Sequence, residues 1–394
     1  MDPIIILGIL LALLFNFANG LNDAANSIAT IIATKALTPL QAVLLAGVFN
    51  LLGPLIFTTA IAATIGRGIV DPVFLTPPLI LMAMVGAVLW VFVTSYFGIP
   101  VSSSHALIGG LLGAGIAAAG FGAVIWPSPT MLKQVAVYGF IGAILGAIVT
   151  GMFTRWKGEF RPWNLLLGGL IGVTIVVPIA IATGFLKISG ILAVVMFIVI
   201  SPMLGLISAF TLGIIVTCVF SGYHPRRLTG HFRILQIFAG SLQAAGHGGN
   251  DAQNAMGIIT AMLLAGGLIS EFAVPLWVIL ASSFAISVGT FFGGWRVVDK
   301  MATRITKIRP YQGFCASTAA GGVLSLMNVL GIPVSTTHAI TGAIMGAGAT
   351  RGYSAVKWGV VREILIAWIL TIPAAAVVAG ICISVAGIFS GGII

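Results

Sequence analysis

Long uninterrupted runs of apolar residues, separated by short polar or charged gaps, make up almost the whole chain. Uncharged runs include residues 72–132, 188–225 and 310–350. A membrane-spanning helix needs about 20 apolar residues, whereas a transmembrane strand alternates apolar and polar positions over about ten residues. The continuous pattern therefore predicts an all-α integral membrane protein with about 12 transmembrane segments of about 20 residues each.

Each predicted crossing covers one apolar run or one part of a longer run. The crossings are predicted near residues 3–34, 40–65, 76–97, 98–120, 134–154, 162–186, 188–222, 234–268, 272–295, 311–330, 331–350 and 362–390. Pro100 and Pro333 interrupt the two longest runs. The segments 98–120 and 331–350 are therefore either re-entrant hairpins or bent full spans.

The composition agrees with this pattern and excludes a soluble protein. Hydrophobic residues make up 59% of the chain and charged residues 7%, whereas about a quarter of a soluble domain is charged. The net charge of +10 does not indicate nucleic-acid binding, because the basic residues lie in gaps between crossings. With both termini external, only Arg67, Lys133 and Lys187 of the 18 Lys and Arg residues fall outside, as the positive-inside tendency favours.

Two motifs occur once in each half of the chain. Residues 20–26 (GLNDAAN) recur as residues 248–254 (GGNDAQN), and residues 98–106 (GIPVSSSHA) recur as residues 331–339 (GIPVSTTHA). Two ordered motifs that recur at nearly the same offset indicate an internal duplication.

The charges of matched loops indicate that the two repeats have opposite orientations. Residues 67–71 carry one Arg and one Asp, whereas the matched residues 296–309 carry a large basic excess. We predict two inverted five-segment repeats with broken helices, in residues 1–161 and 234–394, and two linker helices with a basic loop in residues 162–233. Inverted repeats with broken helices are typical of secondary transporters.

Two aspartates lie inside long apolar segments at matching positions. Asp23 and Asp251 have no Lys or Arg within ten residues. An intramembrane carboxylate is costly, so it marks a candidate functional site. The alternative is a structural aspartate that caps a broken helix or pairs with a distant base.

The residues around these aspartates favour a cation. Asn22 and Asn26 share a helix face, as do Asn250 and Asn254 in the second half, and together they offer amide oxygens. Gly20 and Gly248-Gly249 are expected to permit an unwound turn with free carbonyls. Oxygen ligands suit hard cations. No Cys–His cluster accompanies the aspartates, which disfavours a transition metal, and Na⁺ and H⁺ remain equivalent choices.

The second motif favours an anion. Pro and Ser or Thr are typical of a helix start, where free N–H groups and the helix dipole attract negative charge. The candidate anion ligands are the hydroxyls of Ser102, Ser103, Ser104, Ser335, Thr336 and Thr337. Plain capping of a bent helix is the alternative. His105 and His338 are either buried neutral histidines or ligands and proton carriers.

No Lys or Arg is predicted near these motifs, although anion sites usually use arginine. An anion would be repelled by the two aspartates unless cations accompanied it. The hypothesis is obligatory cation–anion cotransport. An anion channel and an intramembrane enzyme are the alternatives from other classes, although Ser104 next to His105 in sequence is no catalytic triad.

The duplicated motifs resemble those of the inorganic phosphate transporter (PiT) family over nearly the whole chain. The resemblance implies a phosphate symporter coupled to Na⁺ or H⁺, with phosphate and sodium ions as partners and no further cofactor. The chain is expected in a cell membrane, in contact with lipid. Glycine pairs such as Gly109 and Gly113 permit close packing within the chain or across a dimer. The resemblance assigns cation binding to Asn22, Asp23, Asn26, Asn250, Asp251 and Asn254, and phosphate binding to the six hydroxyls with Asn26 and Asn254. His105, His338 and Gln253 would lie around them. The short gap at 223–233 resembles prokaryotic members, and sulfate or a metal–phosphate complex are alternative substrates.

Overall fold

The computed structural model describes residues 2–188 and 190–389. In this part of the chain the elements are helices, with two isolated β-bridges. The α-helices are α1 (Pro3–Ala33), α2 (Pro39–Ile56), α3 (Ala60–Arg67), α4 (Pro77–Tyr96), α5 (Ser103–Ala119), α6 (Pro129–Trp156), α7 (Trp163–Ala182), α8 (Gly190–Val219), α9 (Pro225–Ala265), α10 (Leu276–Phe292), α11 (Trp295–Asp299), α12 (Pro310–Val329), α13 (Thr336–Ala349) and α14 (Trp358–Phe389).

Several of these helices are long and apolar enough to cross a membrane. Within the described residues there are 7, namely α1, α2, α4, α6, α7, α8 and α14, or 8 if the bent segment Leu276–Phe292 with Trp295–Arg304 is one span. That segment bends by 67° at its break. The prediction of a helical multi-pass membrane protein is confirmed. Length and hydropathy alone do not establish all of the predicted crossings, and α5, with 17 residues, is shorter than a usual span.

Local sequence explains where the spanning helices begin. Thr38, Thr76 and Ser128 each precede a proline, and each accepts a hydrogen bond from a backbone N–H of the following turn. Proline at the first helical position is already in helical geometry and has no N–H to leave unpaired. These Thr-Pro and Ser-Pro pairs therefore set the starts of α2, α4 and α6.

The same packing arrangement occurs twice around the centre of the molecule. Helices α1 and α9 contact each other, and α1 also packs against α4 and α10, while α9 packs against α12 and α2. Each short motif helix packs against the helix before it, so that α5 lies on α4 and α13 lies on α12. The two motifs of each half are thereby brought to the same central region.

Helix α8 relates to the second half as α14 relates to the first. Helix α8 packs against α12 and α13, whereas α14 packs against α4 and α5. Both helices contain an internal proline, Pro202 and Pro373. Helices α6 and α7, by contrast, pack chiefly against each other, and α6 leaves most of its apolar side chains exposed.

The expectation of an unwound turn beside the aspartates is wrong. Helix α1 runs without a break through Gly20, and α9 runs without a break through Gly248. These glycines permit close helix contact instead, because a Cβ on Gly20 would lie 2.1 Å from the carbonyl oxygen of Ile286 and one on Gly248 would lie 2.3 Å from that of Asn50. The α1 and α9 backbone carbonyls around the motifs are thus engaged in their own helices.

Candidate functional site

The two carboxylates lie in the middle of the molecule on the two long helices α1 and α9. Asp23 and Asp251 are each 1% exposed. Among the described side chains that are buried, there is no Lys or Arg. The sequence had predicted that no Lys or Arg lies near the two motifs, and the buried residues of the described part of the chain agree with that prediction.

The hydroxyl residues start α5 and α13, and the chain reaches both helices in the same way. Helices α4 and α12 end before Gly98 and Gly331, whose φ of +66° in each case favours glycine. Ser102 and Ser335 then cap the next helix by accepting a hydrogen bond from the backbone N–H three residues on, at 3.3 Å in both halves. Both serines therefore act as helix N-caps in this arrangement.

Within each half, the asparagine before the aspartate holds the turn that precedes the motif helix. The Asn22 side-chain amide donates to the carbonyl of Val101 at 3.2 Å, and the Asn250 amide donates to the carbonyl of Val334 at 2.7 Å. These two bonds fix the starts of α5 and α13 relative to α1 and α9.

Other bonds join a residue of one half to a residue of the other. The Asn26 amide donates to Thr337 Oγ1 at 3.0 Å, and the Asn254 amide donates to Ser104 Oγ at 2.9 Å. Thr337 Oγ1 also lies 3.2 Å from Asp23 Oδ1. The two motif helices and the two long helices therefore form one connected polar cluster.

The hydroxyl one position earlier in each motif, Ser103 or Thr336, lies beside the aspartate of its own half. Thr336 Oγ1 donates to Asp251 Oδ2 at 3.0 Å. Ser103 Oγ lies 3.4 Å from Asp23 Oδ2 and donates to Asn19 Oδ1 at 2.6 Å. Asn19 is a site residue that the sequence reasoning missed, although it lies on the same helix face as Asp23, one turn earlier.

The structure adds His247 to the site. Its Nε2 lies 3.2 Å from Asp251 Oδ2 and 3.9 Å from Asp23 Oδ2, and its side chain is fully buried. The ligand atoms of these three residues all lie within 4.8 Å of one another. The sequence analysis found no Cys–His cluster beside the aspartates and did not single out His247, which the structure places with them. The signal was present in the sequence, since His247 and Asp251 share a helix face at i,i+4.

The three residues predicted to surround the site are Gln253, which bonds backbone groups, and His105 and His338, which pack against aromatic rings. Gln253 bonds the backbone N–H of Ala62 at 3.1 Å and the carbonyl of Gly249 at 2.6 Å, which ties α3 to α9. His105 and His338 pack edge to face at 4.9 Å. His338 also stacks on Trp368 at 3.6 Å, and Trp368 was not singled out by the sequence.

A small cavity adjoins the hydroxyl groups. It has a volume of about 20 Å³ and lies between Ser104, His105 and Ser335 on one side and Phe197 of α8 on the other. This volume holds about one water molecule. A larger polyatomic anion would not fit in this cavity.

Comparison with known proteins points to one family. The Phosphate transporter family matches residues 19–162 and 137–379. The chain is 42% identical to the "Probable low-affinity inorganic phosphate transporter" of Rhizobium meliloti, with 96% of each chain covered. It is 35% identical to the protein of the same description from Bacillus subtilis, with 97% of each covered.

A solved structure has a similar fold. The structure described as "The sodium-dependent phosphate transporter" matches with a TM-score of 0.68 and 28% identity, covering 98% of this chain and 100% of the other. The family and these relatives are transporters rather than enzymes. The chain therefore belongs to the Phosphate transporter family, as the duplicated motifs predicted.

Proposed function

We propose that the chain is a sodium-coupled phosphate symporter that works by alternating access. The observation that carries the proposal is the polar cluster in which Asp23 contacts hydroxyls at the starts of α5 and α13 and Asp251 contacts one at the start of α13. Carboxylates offer cation ligands, and the helix starts offer anion donors. The solved structure that resembles this chain is described as sodium-dependent, which supports sodium as the coupling ion.

The charges explain why the two substrates would move together. Phosphate near Asp23 and Asp251 is repelled, and no buried Lys or Arg in the described residues offsets these charges. Two unit charges 4 Å apart interact by about 4 kcal/mol at an effective dielectric constant of 20. This energy corresponds to roughly a thousandfold in affinity. Bound cations would remove the repulsion, so phosphate affinity would depend on sodium.

We assign the binding roles as follows. Asp23 and Asp251 bind sodium with amide oxygens of their neighbouring asparagines. The hydroxyls at the two helix starts bind phosphate together with Asn26 and Asn254. The assigned sodium ligands are Asn22, Asp23, Asn26, Asn250, Asp251 and Asn254, and the assigned phosphate ligands are Ser102, Ser103, Ser104, Ser335, Thr336, Thr337, Asn26 and Asn254.

We infer that the halves are inverted repeats and that about twelve crossings of about 20 residues remain the best count. The paired bonds of Asn22 and Asn250 support the duplication. The packing of α8 and α14 favours one change to the predicted domains. Helix α8 would complete the first repeat, and α6 with α7 would be the inserted pair in place of 162–222.

The remaining proposals concern the surroundings of the protein. The distribution of basic residues favours external termini in a cell membrane. The exposed apolar surface of α6 would face lipid or a second copy of the chain, so a homodimer stays a prediction.

One transport experiment tests the proposed coupling. Purified protein in liposomes is supplied with labelled phosphate under an imposed Na⁺ gradient, an imposed pH gradient, or neither. We expect accumulation above equilibrium only with the Na⁺ gradient. Accumulation driven by the pH gradient alone would make the transporter proton-coupled, and equilibration without accumulation under either gradient would favour a channel. Labelled sulfate in the same assay tests the choice of anion.

A further inference from the structure

We propose that Trp368 of α14 and Pro202 of α8 are positioning residues of the phosphate site. They hold His338, and with it the start of α13, at a fixed place relative to the turn that precedes α5. The proposal rests on the proposed function, because it concerns the hydroxyls assigned to phosphate. Trp368 and Pro202 both lie outside the duplicated motifs.

One buried indole contacts both copies of the second motif. Trp368 is 1% exposed. Its ring stacks on that of His338 at 3.6 Å, with 22° between the two planes. Its N–H donates to the carbonyl of Pro100 at 3.2 Å. Because Pro100 belongs to the first copy and His338 to the second, a single side chain fixes the distance between the two turns.

Helix α8 holds the ring of His338 from another direction. His338 Nδ1 donates to the carbonyl of Ile198 at 3.3 Å. In an uninterrupted α-helix this carbonyl accepts from the N–H of residue 202, but residue 202 is a proline inside α8 and has no N–H. Pro202 therefore leaves the carbonyl of Ile198 available to His338.

The position of His338 decides where the neighbouring hydroxyls point. His338 lies in the first turn of α13, and its backbone N–H donates to Ser335 Oγ at 3.3 Å. The two preceding hydroxyls, of Thr336 and Thr337, are assigned to phosphate and contact the buried aspartates. Since the backbone and the ring of His338 are both held, the first turn of α13 cannot rotate about the helix axis without breaking one of these contacts.

Matching glycine contacts show which positions of α8 and α14 correspond. A Cβ on Gly342 of α13 would lie 2.0 Å from the carbonyl oxygen of Pro202. A Cβ on Gly109 of α5 would lie 2.5 Å from that of Ile372. Ile372 on α14 therefore occupies the place that Pro202 occupies on α8, and the proline of α14 comes one residue later, at Pro373.

This difference of one residue removes the arrangement from the first half. Pro373 frees the carbonyl of Ile369, and a carbonyl one residue further along points about 100° away around the helix. His105 is the counterpart of His338, and its Nδ1 has no hydrogen-bond partner among the described residues. Positioning by a carbonyl that a proline frees is therefore expected for α13 alone.

The test measures the binding of labelled phosphate and the thermal unfolding of the purified full chain. In Pro202→Ala the new N–H competes for the carbonyl of Ile198, so His338 loses its acceptor. We expect the Kd for phosphate to rise by roughly 2- to 10-fold, as for the loss of one hydrogen bond. The unfolding temperature should stay the same or rise, because alanine suits a helix interior better than proline. Pro373→Ala is the matched control and should leave the Kd unchanged, since neither ring nitrogen of His338 bonds the Ile369 carbonyl.

Two further variants test the link through His338. His338→Phe keeps a ring for Trp368 to stack on and removes the donor, so in this background Pro202→Ala should raise the Kd no further. Trp368→Phe keeps an aromatic ring and loses the N–H. It should raise the KM for phosphate and leave the maximal uptake rate unchanged.

Three results would overturn the proposal. They are an unchanged Kd in both Pro202→Ala and Trp368→Phe, an equal rise from Pro202→Ala with and without His338, and a rise that occurs only with a lower unfolding temperature. Binding is measured in sodium and in potassium buffers. Equal phosphate affinity in the two buffers would reject the proposed sodium coupling, whereas the effect of Pro202→Ala in either buffer decides the positioning role.

Discussion

At the scale of single residues, the chain keeps two carboxylates away from water and surrounds them with hydroxyl and amide groups. Asp23 and Asp251 contact Thr337 and Thr336, which start or belong to the same turn of α13. An isolated buried charge is strongly unfavourable. Under the proposed function, a cation bound during transport would offset the charge at both matching positions.

The first prediction concerns these carboxylates. Asp23→Asn or Asp251→Asn keeps the size of the side chain and removes the charge, so Na⁺-driven phosphate uptake in liposomes should fall by roughly 5- to 150-fold. Asp71→Asn is the control, since Asp71 only caps a loop by accepting from the N–H of Val73. Unchanged uptake in both intramembrane variants would reject the cation assignment. Thermal unfolding is measured as well, so that a loss of uptake is not confused with a loss of fold.

The second prediction concerns the bonds between the halves. Thr337→Val removes the hydroxyl that Asn26 contacts, and Ser104→Ala removes the one that Asn254 contacts. A hydrogen bond to a charged group contributes about 1.5 to 3 kcal/mol, so the KM for phosphate should rise by roughly 10- to 150-fold. Thr183→Val, at an exposed helix end, should leave the KM unchanged. A normal KM in both site variants would remove these hydroxyls from the phosphate site.

At the scale of helices, the short motif helices α5 and α13 are held by glycines against their partners. A Cβ on Gly113 of α5 would lie 1.9 Å from the carbonyl oxygen of Ala376 on α14, and one on Gly346 of α13 would lie 2.1 Å from that of Leu206 on α8. In lipid, close packing rather than the hydrophobic effect holds helices together. These contacts set the position of the hydroxyls at the helix starts.

The third prediction tests this packing. Gly113→Ala should lower the free energy of unfolding by about 1 to 3 kcal/mol, because the methyl group overlaps the α14 backbone. Thermal unfolding in detergent measures the effect. Gly139→Ala is the matched control, since nothing lies within 4 Å of a Cβ at Gly139 on α6. Equal unfolding temperatures for the two variants would contradict the close α5–α14 contact.

At the scale of the whole molecule, the charges predict the orientation in the membrane. The loop before α6 is predicted outside, and the loop before α9 is predicted inside. Gly122 and Gly222 lie in these two loops, and each has open space around it. They are suitable places for a reporter cysteine.

The fourth prediction uses these two loops. In a Cys218→Ser background, because Cys218 is exposed, the variant Gly122→Cys should react with a membrane-impermeant thiol reagent in intact cells. The variant Gly222→Cys should react only after the cells are permeabilised. The opposite pattern would reverse the predicted orientation. Labelling of both cysteines in intact cells would contradict the prediction that an odd number of crossings separates the two loops.

The sequence by itself determined the class of fold, the family and most of the candidate site. Long apolar runs leave no alternative to helices in a bilayer, because every backbone polar group must be bonded within its own segment. The scarcity of charge made Asp23 and Asp251 stand out, and the duplication made both motifs recognisable. Each of these signals is local along the chain or repeats at a fixed offset.

The tertiary structure decided what depends on packing between distant segments. Only the approach of α1 to α9 brings His247 within reach of Asp23, and only the fold shows that α8 packs against α13. The role of the glycines beside the aspartates could not be predicted without the helices packed against them. A glycine permits an unwound turn or a close helix contact equally well. Which of the two occurs depends on the helix packed against it, and here that helix leaves room for no side chain.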